Sequence, residues 1–269
     1  SAGPNYTVAV QQDGTLWTWG ANEYGQLGNG TTTDQLKPRR IDSLSQGHHW
    51  RSVSAGATHV IALDEDGELL GWGNNDHGQL GRGDRIRRLT PGAIGFGFVQ
   101  ASAGQGHTVA LATNGALFVC GLNSSGQLGT NSTTASITLR QQYPPTGAPG
   151  LWRQVQAGAE HTVGISQDGT LWAWGSNASG QLGDSTTLNR LLPVRISKTA
   201  TWRSIAAGHM HTAALQHNGS LWAWGNNASG QLGTGTTTAQ LRPARVAGPG
   251  KWLSLASGSG HGVAMPPDS

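Results

Sequence analysis

The motif "GQLG" ends at Gly28, Gly81, Gly129, Gly183 and Gly233, at spacings of 53, 48, 54 and 50 residues. A tandem period near 50 constrains the fold severely, because each unit must bury its apolar face against its neighbours. A second motif keeps step with the first: "AGATH", "AGQGH", "AGAEH", "AGHMH" and "SGSGH" end at His59, His107, His161, His211 and His261. The N-terminal "AGPNY" is a further copy, with Tyr6 in the histidine place. From Tyr6 or each following His to the last Gly of the next "GQLG" is always 22 residues. From that Gly to the glycine of the next "AG" or "SG" the distance varies: 28, 23, 29, 25 and 25 residues. The repeat therefore has a rigid half and an adjustable half.

The rigid half reads as a β-hairpin. In "HTVAL" (107–111), His107, Val109 and Leu111 share one face, and Thr108 and Ala110 the other. One position is small in every copy: Ala9, Ala62, Ala110, Gly164, Ala214 and Ala264. A strand that needs a small residue there is expected to be crowded, as near the axis of a ring. A tight turn follows, at Asp13-Gly14, Asp66-Gly67, Asn114-Gly115, Asp168-Gly169 and Asn218-Gly219. These dipeptides tolerate positive φ and are the strongest short hairpin signal. The return strand alternates too, with Leu171 and Ala173 opposite Trp172 and Trp174, and closes on a fixed glycine: Gly20, Gly73, Gly121, Gly175 and Gly225. The third copy has Phe118 and Cys120 for the Trp pair, which makes Cys120 a core position rather than a nucleophile.

The adjustable half ends in another apolar strand, as in "WRSVSAG" and "WRSIAAG", so each repeat holds about four short strands. The expected fold is all-β: a β-propeller of four-stranded antiparallel blades, with five complete repeats plus one extra inner strand. The whole chain, 1–269, reads as one domain with repeats at about 2–54, 55–102, 103–156, 157–206 and 207–256 and the extra strand at 257–265. Because 258–265 repeats the phase of 3–10, two strands compete for one inner position in a closed five-bladed ring. A closed ring, an open one and one completed by a partner chain all remain open readings.

Composition agrees. The chain has 42 Gly and 12% charged residues, against about 25% in ordinary globular domains, which opposes long helices. Eleven Trp supply a core. A formal charge of +3 is too small and too dispersed for nucleic-acid binding. A single cysteine excludes an internal disulfide framework and a cysteine metal site. No stretch reads as a signal peptide or a membrane span. Low charge and abundant hydroxyl residues lean towards secretion of a mature chain whose leader has been removed. Seven N-x-S/T sequons, at Asn5, Asn29, Asn123, Asn131, Asn177, Asn218 and Asn227, fall largely within the repeat.

The combination "AGxxHT-AL … DGxLWxWGxNxxGQLG" resembles the regulator of chromosome condensation repeat family, over nearly the whole chain. The resemblance implies a β-propeller, most familiarly of seven blades. It also brings three activities to weigh. Guanine nucleotide exchange on the small GTPase Ran relies on special loops and a protruding wedge, and no comparable insertion stands here. Ultraviolet-B reception relies on tryptophans in "GWRHT", whereas Ala57-Thr58, Gln105-Gly106, Ala159-Glu160, His209-Met210 and Ser259-Gly260 precede the histidines here. A secreted bacterial member inhibits β-lactamases through loops on one face, which shows the fold as a protein-binding device.

The expected function is therefore a non-catalytic scaffold that binds a protein partner through variable loops on one face. Candidate contacts are Arg82, Arg85, Arg87 and Arg88, the "QQYPPTGAPG" connector with Tyr143, and His48 and His49. The alternatives are a carbohydrate-binding propeller using recurrent Trp and Asn, and an assembly module that makes homo-oligomers through unmatched ends; guanine nucleotide exchange ranks lower. The "RGD" at 82–84 reads as an ordinary loop. No cofactor and no metal is expected. His59, His107, His161, His211 and His261 and Tyr6 are assigned a structural role, each tying its strand to a neighbour.

Overall fold

The computed structural model describes residues 1–41, 48–144, 150–197, 202–248, 250–258 and 260–266, and no helix occurs among them. Four sheets are four-stranded and antiparallel. They comprise β4 (Trp50–Ala55), β5 (His59–Asp64), β6 (Glu68–Gly73) and β7 (Arg88–Phe96); then β8 (Phe98–Ala103), β9 (His107–Ala112), β10 (Leu117–Gly121) and β11 (Ser136–Gln141). The next are β12 (Trp152–Ala157), β13 (His161–Ser166), β14 (Leu171–Gly175) and β15 (Arg190–Ser197), and β16 (Trp202–Ala207), β17 (His211–Gln216), β18 (Leu221–Gly225) and β19 (Gln240–Arg245). At the N-terminus β1 (Tyr6–Val10), β2 (Leu16–Gly20) and β3 (Gln35–Arg40) form a three-stranded sheet without a counterpart of β4. At the C-terminus β20 (Ser254–Ser257) and β21 (Gly262–Met265) pair without counterparts of β6 and β7. The described strands thus make five repeats of four, β1–β4 through β17–β20, plus the extra strand β21, while each sheet after the first takes its first strand from the end of the preceding repeat.

By packing the chain divides into two units, Ser1–Leu122 with Thr134–Gln141, and Asn123–Thr133 with Gln142–Ser269. In the first, Val8 and Leu16 pack with Trp50, Val60, Ala62, Leu70 and Trp72, and Ile61, Leu63 and Leu69 with Phe98, Ala103 and Ala110. In the second, Val163, Ile165, Leu171 and Ala173 pack with Trp202, Ile205, Ala214 and Trp224. Neighbouring sheets in each unit are joined by shared apolar cores, which dominate the favourable energy.

The hairpin reading holds at all five turns, whose glycines lie at φ between +78° and +84°. The glycine closing the return strand is demanded by space. A β-carbon on Gly175, at φ +98°, would lie 2.6 Å from the Glu160 carbonyl and 2.8 Å from the His161 Cα. The small position inside the hairpin is crowded by the first strand of its own sheet. A β-carbon on Gly164 would meet the Trp152 ring at 2.6 Å.

The "GQLG" turn is where one sheet is fastened to the next. Its upstream Asn folds the turn: Asn177 accepts from the Leu182 N–H at 3.0 Å and donates to the Thr186 carbonyl at 3.0 Å. The Gln side chain accepts from the backbone, Ser179 N–H to Gln181 at 2.9 Å, so the Gln carbonyl is left to face the following sheet. The Gln127 carbonyl accepts the Thr162 hydroxyl at 2.8 Å and the Trp174 indole N–H at 3.0 Å. The Gln181 carbonyl accepts from Thr212 at 2.8 Å and from Trp224 at 2.9 Å. Gln79 accepts from Thr108 at 2.7 Å, and the Cys120 thiol, at 3.4 Å, stands where the indole would be. Burial pushes that thiol up to about 12, so it stays protonated. Gln26 accepts the Trp72 indole at 2.9 Å.

The recurring histidines extend the same chain of bonds. Since the Thr108 hydroxyl donates to Gln79, it accepts from His59 Nε2, 3.0 Å away; His161 stands to Thr212 in the same way at 3.0 Å. Tyr6 reaches the Gly56 and His59 carbonyls at 2.9 and 2.8 Å. His211 finds no such hydroxyl, because Gly262 replaces the threonine. Burial holds the imidazoles neutral: His59 is lowered to about 3, with the charge of His107 adding to desolvation, and His107 by desolvation to about 4. His211 is lowered to about 4, by desolvation first and then His261 and His209.

Two predictions follow from this junction. Trp224→Phe removes one of two donors on a buried carbonyl and should cost about 1–2 kcal/mol, a fall of roughly 3–6 °C in Tm for a chain of this size. Trp222→Phe, whose half-buried indole bonds only to Ser220 in its own hairpin at 3.1 Å, should cost less. Calorimetry on both variants checks the order. Because the histidine pKa values fall on folding, the unfolded chain takes up protons that the folded one refuses. Stability should be full above pH 6.5 and decline as pH falls towards 4, by up to about 1.4 kcal/mol per pH unit per histidine. Urea midpoints across that range measure this, and His59→Gln should make the decline shallower.

Candidate interaction surface

Strand direction alternates across β4–β7, so the sheet has two distinct ends. The "AGATH" turn and the β6–β7 loop lie at one end. The Asp66-Gly67 hairpin and the connector before β4 lie at the other. Arg82, Arg85 and Arg87 belong to the β6–β7 loop, and Arg88 opens β7. His48 and His49 precede β4 and so lie at the opposite end of the same sheet. The fold does not bring these two groups together.

The arginine loop is well ordered by its own bonds. Asp84 Oδ1 accepts from the Ile86 N–H at 2.9 Å and from Asn75 at 3.0 Å, and Asp84 Oδ2 pairs with Arg88 at 2.6 Å. The Ile86 N–H, then Arg88 and Asn75, hold this carboxyl below the usual carboxylate range. "RGD" therefore presents an aspartate already engaged on three sides. Arg85 donates to the Asp76 carbonyl at 2.9 Å and Arg87 to the Glu23 carbonyl at 3.3 Å. Arg82, Arg85 and Arg87 are exposed, and Ile86 among them is 64% exposed. The loop thus exposes three arginines and one apolar side chain; Asp84 is paired within it, and Asp76 is exposed.

Tyr143 lies two residues beyond β11 and is 74% exposed. Residues 145–149 of its connector lie outside the described residues. His49 is exposed, and its carbonyl accepts the Glu65 N–H at 2.9 Å. His48 is partly buried, with its ring 5.5 Å from that of Trp50 and its Nδ1 2.7 Å from Asp64 Oδ2. Sequence reasoning singled out His48 but missed Asp64 and its neighbour Glu68. The available signal was a pair of acidic residues at hairpin positions that are uncharged in the other four copies.

The histidines carried by the repeat are sealed: His59, His107 and His161 are fully buried and His211 is 1% exposed. His261 is exposed. All eleven tryptophans are buried or half-buried, which leaves little aromatic surface for stacking on a sugar ring. Asn123, Asn177 and Asn227 of three sequons are buried, with their amides spent inside the "GQLG" turn.

A family model described as the RCC1-like domain matches residues 1–264. The ultraviolet-B receptor UVR8 of Arabidopsis thaliana is 32% identical over 200 residues, covering 73% of this chain and 45% of the receptor. The human E3 ubiquitin-protein ligase HERC2 is 30% identical over 193 residues, covering 70% of this chain and 4% of the ligase. The chain thus spans less than half the length of both relatives. Among solved structures, human WBSCR16 superposes with a TM-score of 0.88 at 25% identity, covering 99% of this chain and 71% of that one. Yeast RCC1 (Prp20) bound to Kap60 superposes with a TM-score of 0.82 at 24% identity, covering 98% and 66%. Tandem motif, four-stranded blades and family model agree, and the chain belongs to the RCC1-like domain family of β-propellers.

Proposed function

We propose that this chain is a non-catalytic scaffold that binds a protein with an acidic surface, through the loop between β6 and β7. The observation that carries the reading is a loop that exposes Arg82, Arg85, Arg87 and Ile86, with Arg85 and Arg87 held on the Asp76 and Glu23 carbonyls and Asp84 paired with Arg88. Arg85 and Arg87, held in this way, lose little freedom on binding, and the exposed Ile86 between them in sequence supplies an apolar contact to desolvate. The sealing of the repeat histidines and of Cys120 favours binding over catalysis. Propellers of this fold also serve as partners elsewhere: yeast RCC1 (Prp20) has been solved bound to Kap60.

A second reading, self-assembly, is favoured by a different observation. A branched apolar side chain from each outer strand covers the first glycine of the preceding "GQLG": Leu89 on Gly25, Ile137 on Gly78, Leu191 on Gly126 and Leu241 on Gly180. The corresponding Leu36 is 96% exposed, and nothing lies within 4 Å of a β-carbon on Gly230. These are the two halves of one junction, and a second copy offers the missing half to each.

Affinity capture from the native source, with the wild-type chain and with Arg82→Glu/Arg85→Glu/Arg87→Glu, tests the first reading. The variant should lose an acidic partner whose binding to the wild type weakens with salt. Identical captured sets would refute the assignment of the loop. Sedimentation over a hundredfold range of concentration tests the second: Leu36→Asp should abolish association, and a monomer throughout would exclude it.

A further inference from the structure

We propose that His48, Asp64 and Glu68 bind one divalent transition-metal ion of the zinc class. The sequence reading expects no metal: it takes His48 and His49 as exposed candidates, but weak ones without a carboxylate near them. Folding brings them together at the hairpin end of sheet β4–β7. Asp64 ends β5, Glu68 begins β6, and His48 arrives on the connector ahead of β4. His48 Nδ1 is 2.7 Å from Asp64 Oδ2 and 3.8 Å from Glu68 Oε2, and ligand atoms of all three lie within 4.8 Å of one another.

The other hairpins show what this position ordinarily holds. The residues four apart that bracket the turn are Gln11 and Thr15, Ala112 and Ala116, Ser166 and Thr170, and Gln216 and Ser220. Three of these pairs close on themselves through neutral groups. Thr15 donates to Gln11 at 3.4 Å, Ser220 donates to Gln216 at 2.8 Å, and the Ser166 and Thr170 hydroxyls lie 2.6 Å apart. The pair in β5–β6 consists of two carboxylates, which repel unless a cation lies between them. Glu65 and Asp66 in the same turn add to the negative field. The turn does not require acids, so their presence points to something that does.

The donor set identifies the class of ion. One imidazole nitrogen and two carboxylates suit zinc and its first-row neighbours; magnesium and calcium prefer all-oxygen shells and copper(I) prefers sulfur. Ligand bonds of about 2.0–2.2 Å place ligand atoms about 3–3.5 Å apart around a tetrahedral centre. The 2.7 and 3.8 Å separations bracket that interval, so an ion enters with small side-chain adjustments, in place of the His48–Asp64 hydrogen bond. The outer shell is also built. Asp64 Oδ1 accepts the Glu68 N–H at 2.7 Å, which orients the carboxylate, and the Trp50 ring lies against His48. Asp64 is 5% exposed, while His48 and Glu68 keep 19% and 13% of their surface, enough for an ion and a completing water to reach the site. Such an ion would fasten the connector before β4 to the β5–β6 hairpin.

The test is titration calorimetry of the whole metal-stripped chain with Zn²⁺, and with Mg²⁺ for comparison, alongside His48→Ala, Asp64→Gln and Glu68→Thr. The last two introduce residues that the other hairpins carry at these positions, so they should preserve the fold. One Zn²⁺ per chain is expected, with affinity falling at least about tenfold in each variant and a Zn²⁺-dependent rise in Tm confined to the wild type. Absence of saturable one-to-one binding overturns the proposal. So does equal Zn²⁺ affinity in the folded Asp64→Gln and Glu68→Thr variants, which would place the ion on other histidines, and so does Mg²⁺ binding as tight as Zn²⁺.

Discussion

The main-chain carbonyl of the "GQLG" glutamine is the point on which the rest of the structure depends. In two junctions it receives both a threonine hydroxyl and a tryptophan indole from the following sheet, Thr162 with Trp174 on Gln127 and Thr212 with Trp224 on Gln181. A buried carbonyl must be satisfied, and two donors arriving from one sheet fix where their strands stand against the accepting turn. The histidine of the preceding sheet then orients the threonine at two of the junctions, His59 at Thr108 and His161 at Thr212. Three residue types scattered across a repeat are thus one device, and its donors and acceptor belong to successive sheets.

The same device explains why the repeat varies where it does. The 22 residues from Tyr6 or His to the "GQLG" glycine contain the hairpin, the indole and the accepting turn, so a change of length there would separate donor from acceptor. The following segment carries the outer strand and the connector. It must deliver only one apolar side chain to the preceding glycine, as Leu191 does to Gly126. Its length and charge are otherwise free, and the arginine-bearing loop at 82–88 uses that freedom. The β5–β6 turn is a departure of another kind, because Asp64 and Glu68 alter the charge of the rigid half without altering its shape.

Much of the fold was legible because its signals are local and repeated. Asp-Gly and Asn-Gly turns, alternation in "LWAWG" and a constant spacing are properties of neighbouring residues, and a fivefold tandem averages away the noise in each. The sites were less legible. The arginines and His48 stand out in the sequence, yet the alternation of strand direction sends them to opposite ends of one sheet. The crowding at Gly164 was readable as a need for a small residue, but its cause, the Trp152 ring, was not.

By itself the sequence determined the all-β class and the strand content of the repeat, since periodicity and turn chemistry act within a few residues of the chain. Only the tertiary structure decided which atoms meet across longer separations. It showed that the glutamine carbonyl, rather than its side chain, joins the sheets. It also showed that Asp84 is neutralised within its loop, and that His48 reaches two carboxylates beyond β4. The reason is physical: hydrogen bonds and ion pairs depend on distances of about 3 Å, and no pattern of residue types along a chain fixes those until packing has closed it.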